Sequence, residues 1–283
     1  PLPQEFPDGM FEAVGTYKIG SSGSMGTVSI CQNRKITEEE KDVVGRFATE
    51  FGRAYQRFSD LQKAEAQARE AQIEAALEKV RSRSLAMHKS GELQQVVNTV
   101  YERMVELGVK MDTANFIIFY ESRRDFDAWL ATPGHDYTSR LYFQEIDFSP
   151  TKEFFDAREK GDDFLAMTMS FEVKNKWLSY AFEHTDLKQA PPERKKLVLD
   201  GKCWTVSYAL CKYSAVQINS YSRDSFTEGE NEILRRFAKV FEQAYVRFVD
   251  LQKAEAQARE AQIQLSLERV RSRAMAMQKT HEL

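Results

Sequence analysis

The sequence predicts an α+β protein in which an antiparallel sheet is flanked by helices and such units are joined by long coiled-coil-type linker helices. Three observations carry this prediction. The 13-residue segment Leu-Gln-Lys-Ala-Glu-Ala-Gln-Ala-Arg-Glu-Ala-Gln-Ile runs from Leu61 to Ile73 and again, unchanged, from Leu251 to Ile263, an offset of 190 residues. Chance does not produce such a copy, so the chain is a tandem array and the copied segment is its joint. The stretch from Thr37 to about Leu107 contains no proline and places its apolar residues at steps of three and four, the helical period. Between the joints, short β-branched and aromatic runs are separated by turn signals.

The repeat divides the chain. Residues 1–58 are expected to be the C-terminal part of a truncated unit, 59–91 a linker helix, 92–250 a complete unit, and 251–283 the start of the next linker helix. The chain opens on Pro1, and its last two residues, Glu282 and Leu283, match Glu92 and Leu93. The expectation is a piece of a longer protein.

In the first segment, Met25 to Cys31 corresponds to the last strand of the complete unit, and the residues before it are expected to be irregular. The long helix opens on Thr37 and Glu40, which have the spacing of a capping box, and Thr227 and Glu230 repeat it. There the hydroxyl takes a free backbone N–H and the carboxylate reaches back to the cap's own N–H. Phe47, Phe51, Ala54, Phe58 and Leu61 form one apolar stripe, read as packing on its own domain. Ile73, Leu77, Val80, Ser84 and Met87 form a second in another phase, beyond the Ala-rich run 64–71. This stripe is narrow and set among charges, which predicts the seam of a parallel homodimer. Its second copy is Ile263, Leu267, Val270, Ala274 and Met277. The phase change through the thin Ala-rich stretch marks a local change in winding.

The complete unit begins with a helical face of Leu93, Val96, Val97, Val100, Met104 and Leu107, ended by Gly108. Strands are expected at 114–120, 125–131, 140–148 and 164–171, with a Pro133-Gly134 turn after the second. A short helix capped by Ser149 covers 150–160, and 175–182 is an amphipathic turn or helix. Pro191, Pro192 and the basic run Arg194-Lys195-Lys196 read as an exposed connection. Residues 204–210 and 215–221 read as a hairpin, and the helix from Thr227 closes the unit. This order gathers the terminal helices on one face of the sheet.

Composition limits the function. Of the 283 residues 42% are hydrophobic and 29% charged, with a formal net charge of −3 and both signs interspersed. That is no basic footprint for nucleic acid. The sharpest apolar run, 116–120, is far too short for a membrane span. Three cysteines without metal-type spacing suit a reducing, cytoplasmic setting. No metal or cofactor motif is present.

The element order, together with the runs Leu234-Arg235-Arg236-Phe237-Ala238-Lys239-Val240-Phe241, Tyr245-Val246-Arg247-Phe248, Asp250 and Leu267-Glu268-Arg269-Val270-Arg271-Ser272-Arg273 with Ala276 to Lys279, resembles GAF-like sensory domains. The likeness is to those strung in tandem in bacterial, Bacteroidetes-type sensor histidine kinases. It is close over the joints and holds only in outline over the central unit. It implies a signal-input array of a two-component system feeding a kinase or other output domain.

Candidate site residues follow. Trp129, Tyr142, Phe171, Trp204 and Tyr208 are the candidate lining of a small-molecule cavity, under the segment 148–182; the competing reading is an ordinary aromatic core. Cyclic-nucleotide-binding relatives carry an Asn-Lys signature with a later Phe, Asp and Glu. Here Asn175-Lys176, Phe182 and Asp186 are followed by Leu187 in place of Glu, which argues against a nucleotide site. His281-Glu282-Leu283 looks like the start of a phosphoacceptor box, yet the equivalent of His281 is Gly91, so a linker histidine is the better reading, as for His88. Cys203 and Cys211 lack the neighbouring histidine of a bilin attachment site, and strand cysteines act as small core hydrophobes. No nucleophile–base pair or phosphate loop is present, so the chain is not expected to be an enzyme. The leading expectation is a regulatory relay through the linker helices. The alternative is a dimerisation stalk with degenerate domains that bind nothing.

Overall fold

The computed structural model describes residues 17–23, 26–32, 34–89, 92–120, 124–131, 141–143 and 151–281. The chain forms two compact units, Pro1–Ala71 and Gln72–Leu283.

In the first unit, strands β1 (Tyr17–Gly23) and β2 (Gly26–Gln32) make an antiparallel hairpin with Gly23 opposite Gly26. Gly26 has φ +150°, which a side chain would disfavour. The expectation of irregular structure before the last strand is thus corrected over 17–23, which pair with 26–32 along their whole length. Helix α1 (Glu38–Leu85) starts in this unit. Its capping box forms as expected: Thr37 N–H donates to Glu40 Oε2 at 2.8 Å, and Glu40 N–H donates to Thr37 Oγ1 at 3.2 Å. Arg34 holds the Glu40 carboxyl down, to about 2, mainly through its hydrogen bonds. The Phe47–Leu61 stripe does not pack on its own unit. Phe51 is 51% exposed, while its equivalent in the second unit, Phe241, is 0% exposed.

The second unit opens with the tail of α1, residues 72–85, followed by α2 (Leu93–Glu106). Gly108, at φ +84°, ends α2: its N–H donates to Val105 O, and Val109 N–H to Met104 O. Strands β3 (Thr113–Phe119), β4 (Phe126–Ala131) and β5 (Leu141–Phe143) lead to α3 (Thr151–Lys160), β6 (Phe164–Met169) and α4 (Phe171–His184). A single 3₁₀ turn (Asp186–Gln189), α5 (Pro192–Asp200), β7 (Trp204–Leu210), β8 (Ser214–Ser220) and α6 (Glu228–His281) complete it. The expected class, an α+β antiparallel sheet with flanking helices, is what this unit adopts: among the described residues its sheet has six antiparallel strands in the order β5-β4-β3-β8-β7-β6. Residues 191–200 correct the expected exposed connection, since Pro192 opens a helix, where a missing N–H costs nothing. Ser149, Pro133 and Gly134 lie outside the described residues.

Strand alternation gives the sheet two buried faces. On one, Ala114, Phe116, Ile118, Val216, Ile218 and Ala209 pack with Val96, Val97 and Val100 of α2 and Leu234, Phe237 and Phe241 of α6. On the other, Ile117, Phe119, Val206, Tyr208 and Leu210 pack with Phe154 and Phe155 of α3, Trp177 and Leu178 of α4, and Val198 of α5.

The α1 tail belongs to the first of these cores, which corrects the seam expectation. Ile73, Leu77, Val80 and Met87 are buried with α2 and α6; Leu77 is 2% and Val80 0% exposed. Arg236 pairs with Glu74 at 2.5 Å, and Arg247 donates to the carbonyls of Leu85 and Met87 at 3.0 and 3.3 Å. The α1 tail therefore runs parallel to the first half of α6. The helical period identified the stripe correctly, but a narrow stripe is also what a helix needs when it fills a groove between two others. In the second copy Ile263, Leu267 and Val270 are exposed on α6; the side chain of Met277 lies outside the described residues.

Candidate ligand cavity

The cavity lies on the α3–α4–α5 face of the sheet, with a volume of about 80 Å³. Its walls are largely apolar: Ile117, Phe126, Phe143, Phe154, Leu178, Phe182, Val198, Trp204 and Tyr208 contribute. Its floor is not. Thr113 and Asn115 of β3 and Gln217 and Asn219 of β8 also line it. They lie opposite one another, Asn115 facing Gln217 and Thr113 facing Asn219. Direct cross-strand neighbours are close enough to bond, and the four side chains form one chain of hydrogen bonds. Asn115 Nδ2 donates to Gln217 Oε1 at 3.0 Å, Gln217 Nε2 to Asn219 Oδ1 at 2.6 Å, and Asn219 Nδ2 to Thr113 Oγ1 at 2.9 Å.

Trp204 sets the direction of that chain. Its Nε1–H donates to Asn219 Oδ1 at 2.9 Å, and an indole nitrogen can only donate. Asn219 must therefore present its oxygen, Gln217 must donate to it, and Asn115 must donate to Gln217. Asn115 Oδ1 is left over: it is buried and has no hydrogen-bond partner among the described residues. The same holds for Nε1 of Trp177, whose ring lies 4.8 Å from that of Trp204. A buried unpaired acceptor and a buried unpaired donor line one cavity, each costing on the order of 1–3 kcal/mol in desolvation.

The roof is tied down by Lys174, which is fully buried on α4. Its ammonium donates to Val198 O at 2.6 Å and Leu199 O at 2.9 Å, the last carbonyls of α5, where a cation suits the helix dipole. Burial pulls its pKa below the usual lysine value. Arg194 of α5 also lines the cavity, and its guanidinium donates to Asp112 O at 3.3 Å. Tyr208 is buried and its phenol is pushed upward by burial, so it stays neutral.

Of the five aromatic residues expected to line a cavity, Trp204 and Tyr208 do so. Trp129 packs in the core on the opposite face. Tyr142 lies opposite Asp127 in the β4–β5 ladder, and its hydroxyl donates to Asp125. Phe171 is exposed at the start of α4. The amide strip, Trp177 and Arg194 were missed. The available signal was the unusual polar alternation Thr113, Asn115 and Gln217, Asn219 within strands of otherwise apolar character.

The remaining candidates fall elsewhere. Asn175 and Lys176 lie on α4; Asn175 accepts from Lys174, while Asp186 accepts from the Tyr142 N–H at 3.3 Å. Phe182 and Leu187 reach the cavity wall. Cys203 Sγ contacts Arg223 O at 3.1 Å, and neither it nor Cys211 lines the cavity. Burial, aided by Glu242, pushes the Cys211 thiol up to about 12, the opposite of an activated thiol. His88 is exposed, and its N–H donates to Glu92 Oε2 at 2.8 Å. The His281 side chain lies outside the described residues. Among the described residues no group of three or more His, Cys, Asp or Glu is placed to hold a metal ion, and no helix is long and apolar enough to cross a membrane.

No protein-family model and no curated protein matches the chain. Among solved structures it is similar to the GAF domain of an Acinetobacter phosphoenolpyruvate-protein phosphotransferase, at 9% identity and a TM-score of 0.37, over 61% of this chain and 93% of that one. It is also similar to the phycoerythrobilin-bound GAF domain of a cyanobacterial phytochrome, at 13% identity and 0.38, over 62% and 95%. A further GAF domain gives 13% identity and 0.35, over 62% and 88%.

Proposed function

We propose that this chain is a signal-input segment of a multidomain regulatory protein, of the sensor-kinase kind its joints resemble, and that its second unit is a GAF-like module that binds a small molecule. The observation that carries this reading is the buried amide strip. An apolar floor would be cheaper to bury, and polar side chains with unpaired atoms in a core mark a place where stability yields to function. The ligand class follows from what is unpaired. It is a small, flat, largely apolar molecule with an amide-like group, donating to Asn115 Oδ1 and accepting from Trp177 Nε1–H.

Strand geometry supports a route from cavity to helix. Asn115 and Phe116 are consecutive on β3 and so face opposite sides of the sheet. Asn115 lines the cavity, while the Phe116 ring lies 4.9 Å from that of Phe241 on α6. A ligand that shifts β3 against β8 shifts the seat of α6, and with it the α1 tail packed alongside. Such a device needs two packings of similar energy that the ligand binds unequally.

The test is a thermal-shift screen of the whole chain against small aromatic carboxamides, with the Asn115→Ala and Trp177→Phe variants in parallel. A hit raises the melting temperature by mass action, and both variants abolish the rise. A panel without any shift refutes the binding reading and leaves a stalk with degenerate domains.

A further inference from the structure

The most exposed apolar stripe of the second unit has the same side chains as one of its most buried. Ile263, Leu267 and Val270 of α6 repeat Ile73, Leu77 and Val80 of α1. Leu267 is 45% and Val270 65% exposed. The buried copy shows what covers this sequence: the groove between α2 and the first half of α6, one helix beginning with Leu93, the other carrying Leu234, Phe237 and Phe241. We infer that Ile263, Leu267 and Val270 form a docking face whose occupant is a further lobe of the kind built by residues 92–250, through its own α2–α6 groove.

The register of that docking is fixed by the first copy. Glu74 bonds to Arg236, and Leu85 O to Arg247, so α1 residues lie beside α6 residues 162 positions later. Equivalent residues are 190 apart, so each joint helix lies alongside the next one with a stagger of 190 − 162 = 28 residues. Neighbouring joints thus hand over side by side, and the tail of one helix becomes core of the following lobe. The substitutions between copies suit the same groove. Ile73, Leu77, Val80 and Met87 are kept, buried Ser84 becomes Ala274, buried Ala76 becomes the similarly small Ser266, and Glu74, which makes a half-exposed ion pair, becomes Gln264. An exposed pair of that kind contributes little.

The inference is independent of whether the cavity binds a ligand. It is tested by extending the full chain: residues 1–281 followed directly by a second copy of residues 92–250, which continues the repeat without a break. Hydrogen exchange is then followed for the amides of 263–277. Docking slows them by at least about tenfold relative to the unextended chain. Leu267→Asp in the extended chain removes that protection while the β7–β8 amides stay protected. Equal exchange in the two chains overturns the inference. So does protection in the unextended chain that grows with protein concentration, because the stripe is then a seam between copies.

Discussion

The indole of Trp204 donates to Oδ1 of Asn219 at 2.9 Å, and this bond orients every amide on the cavity floor. Replacing Trp204 by Phe removes the one group that cannot reverse its role. The strip can then flip as a unit, with Asn219 donating to Gln217 and Gln217 to Asn115. Trp204→Phe should lower stability by about 1–3 kcal/mol in urea denaturation. It should also weaken carboxamide binding more than a Tyr208→Phe change, which leaves the strip directed as before.

Glu230 anchors the start of α6. Its carboxylate takes both Arg223 nitrogens at 2.8 Å, the Thr227 N–H at 2.8 Å and the Lys110 N–H at 3.1 Å. Burial alone would raise its pKa; the Arg223 pair and the backbone donors overcome that and hold it at about 2, against an ordinary 4.5. A depressed carboxylate stabilises the fold above its unfolded pKa, and that stability is lost as pH falls from about 4.5 toward 2. Denaturation midpoints measured across this window should fall more steeply for the native chain than for Glu230→Gln.

Phe51 and Phe241 occupy the same position of the repeat in opposite surroundings. Phe241 is fully buried against Phe116, and Phe51 is half exposed. Phe241→Ala should destabilise the second unit by about 3–5 kcal/mol. Phe51→Ala should stay within about 0.5 kcal/mol. Calorimetry of the two variants checks both; equal effects would show that Phe51 is covered in solution.

Gly201 is needed for space. A Cβ there would lie 2.6 Å from Tyr221 Cβ and 2.9 Å from Tyr221 O, and Tyr221 lines the cavity. Gly201→Ala should force the α5–β7 connection away from Tyr221 at a cost of about 1–3 kcal/mol. The loss should appear as a lower melting temperature and as faster amide exchange in α5.

Much of the secondary structure was legible because its causes are local. The capping boxes at Thr37 and Thr227, the stop at Gly108 and the β7–β8 hairpin each depend on a few neighbouring residues. Helix α5 was not legible, since Pro191-Pro192 and three basic residues are equally at home in a loop. It is the packing of Val198 and the bonds from Lys174 that hold it helical. The cavity was legible only in part. Trp204 and Tyr208 announced themselves as large aromatic residues on a strand, while Asn115, Gln217 and Asn219 acquire meaning only when β3 and β8 lie side by side.

The sequence by itself determined the repeat, its 190-residue period and which residues share a helical or strand face, because these follow from chain periodicity alone. Only the tertiary structure decided which faces are covered and by what. Leu77 and Leu267 sit in nearly the same local sequence, yet one is core and the other surface. The free energy of burying an apolar stripe depends on whether a complementary surface is present, and that is a property of the assembled fold.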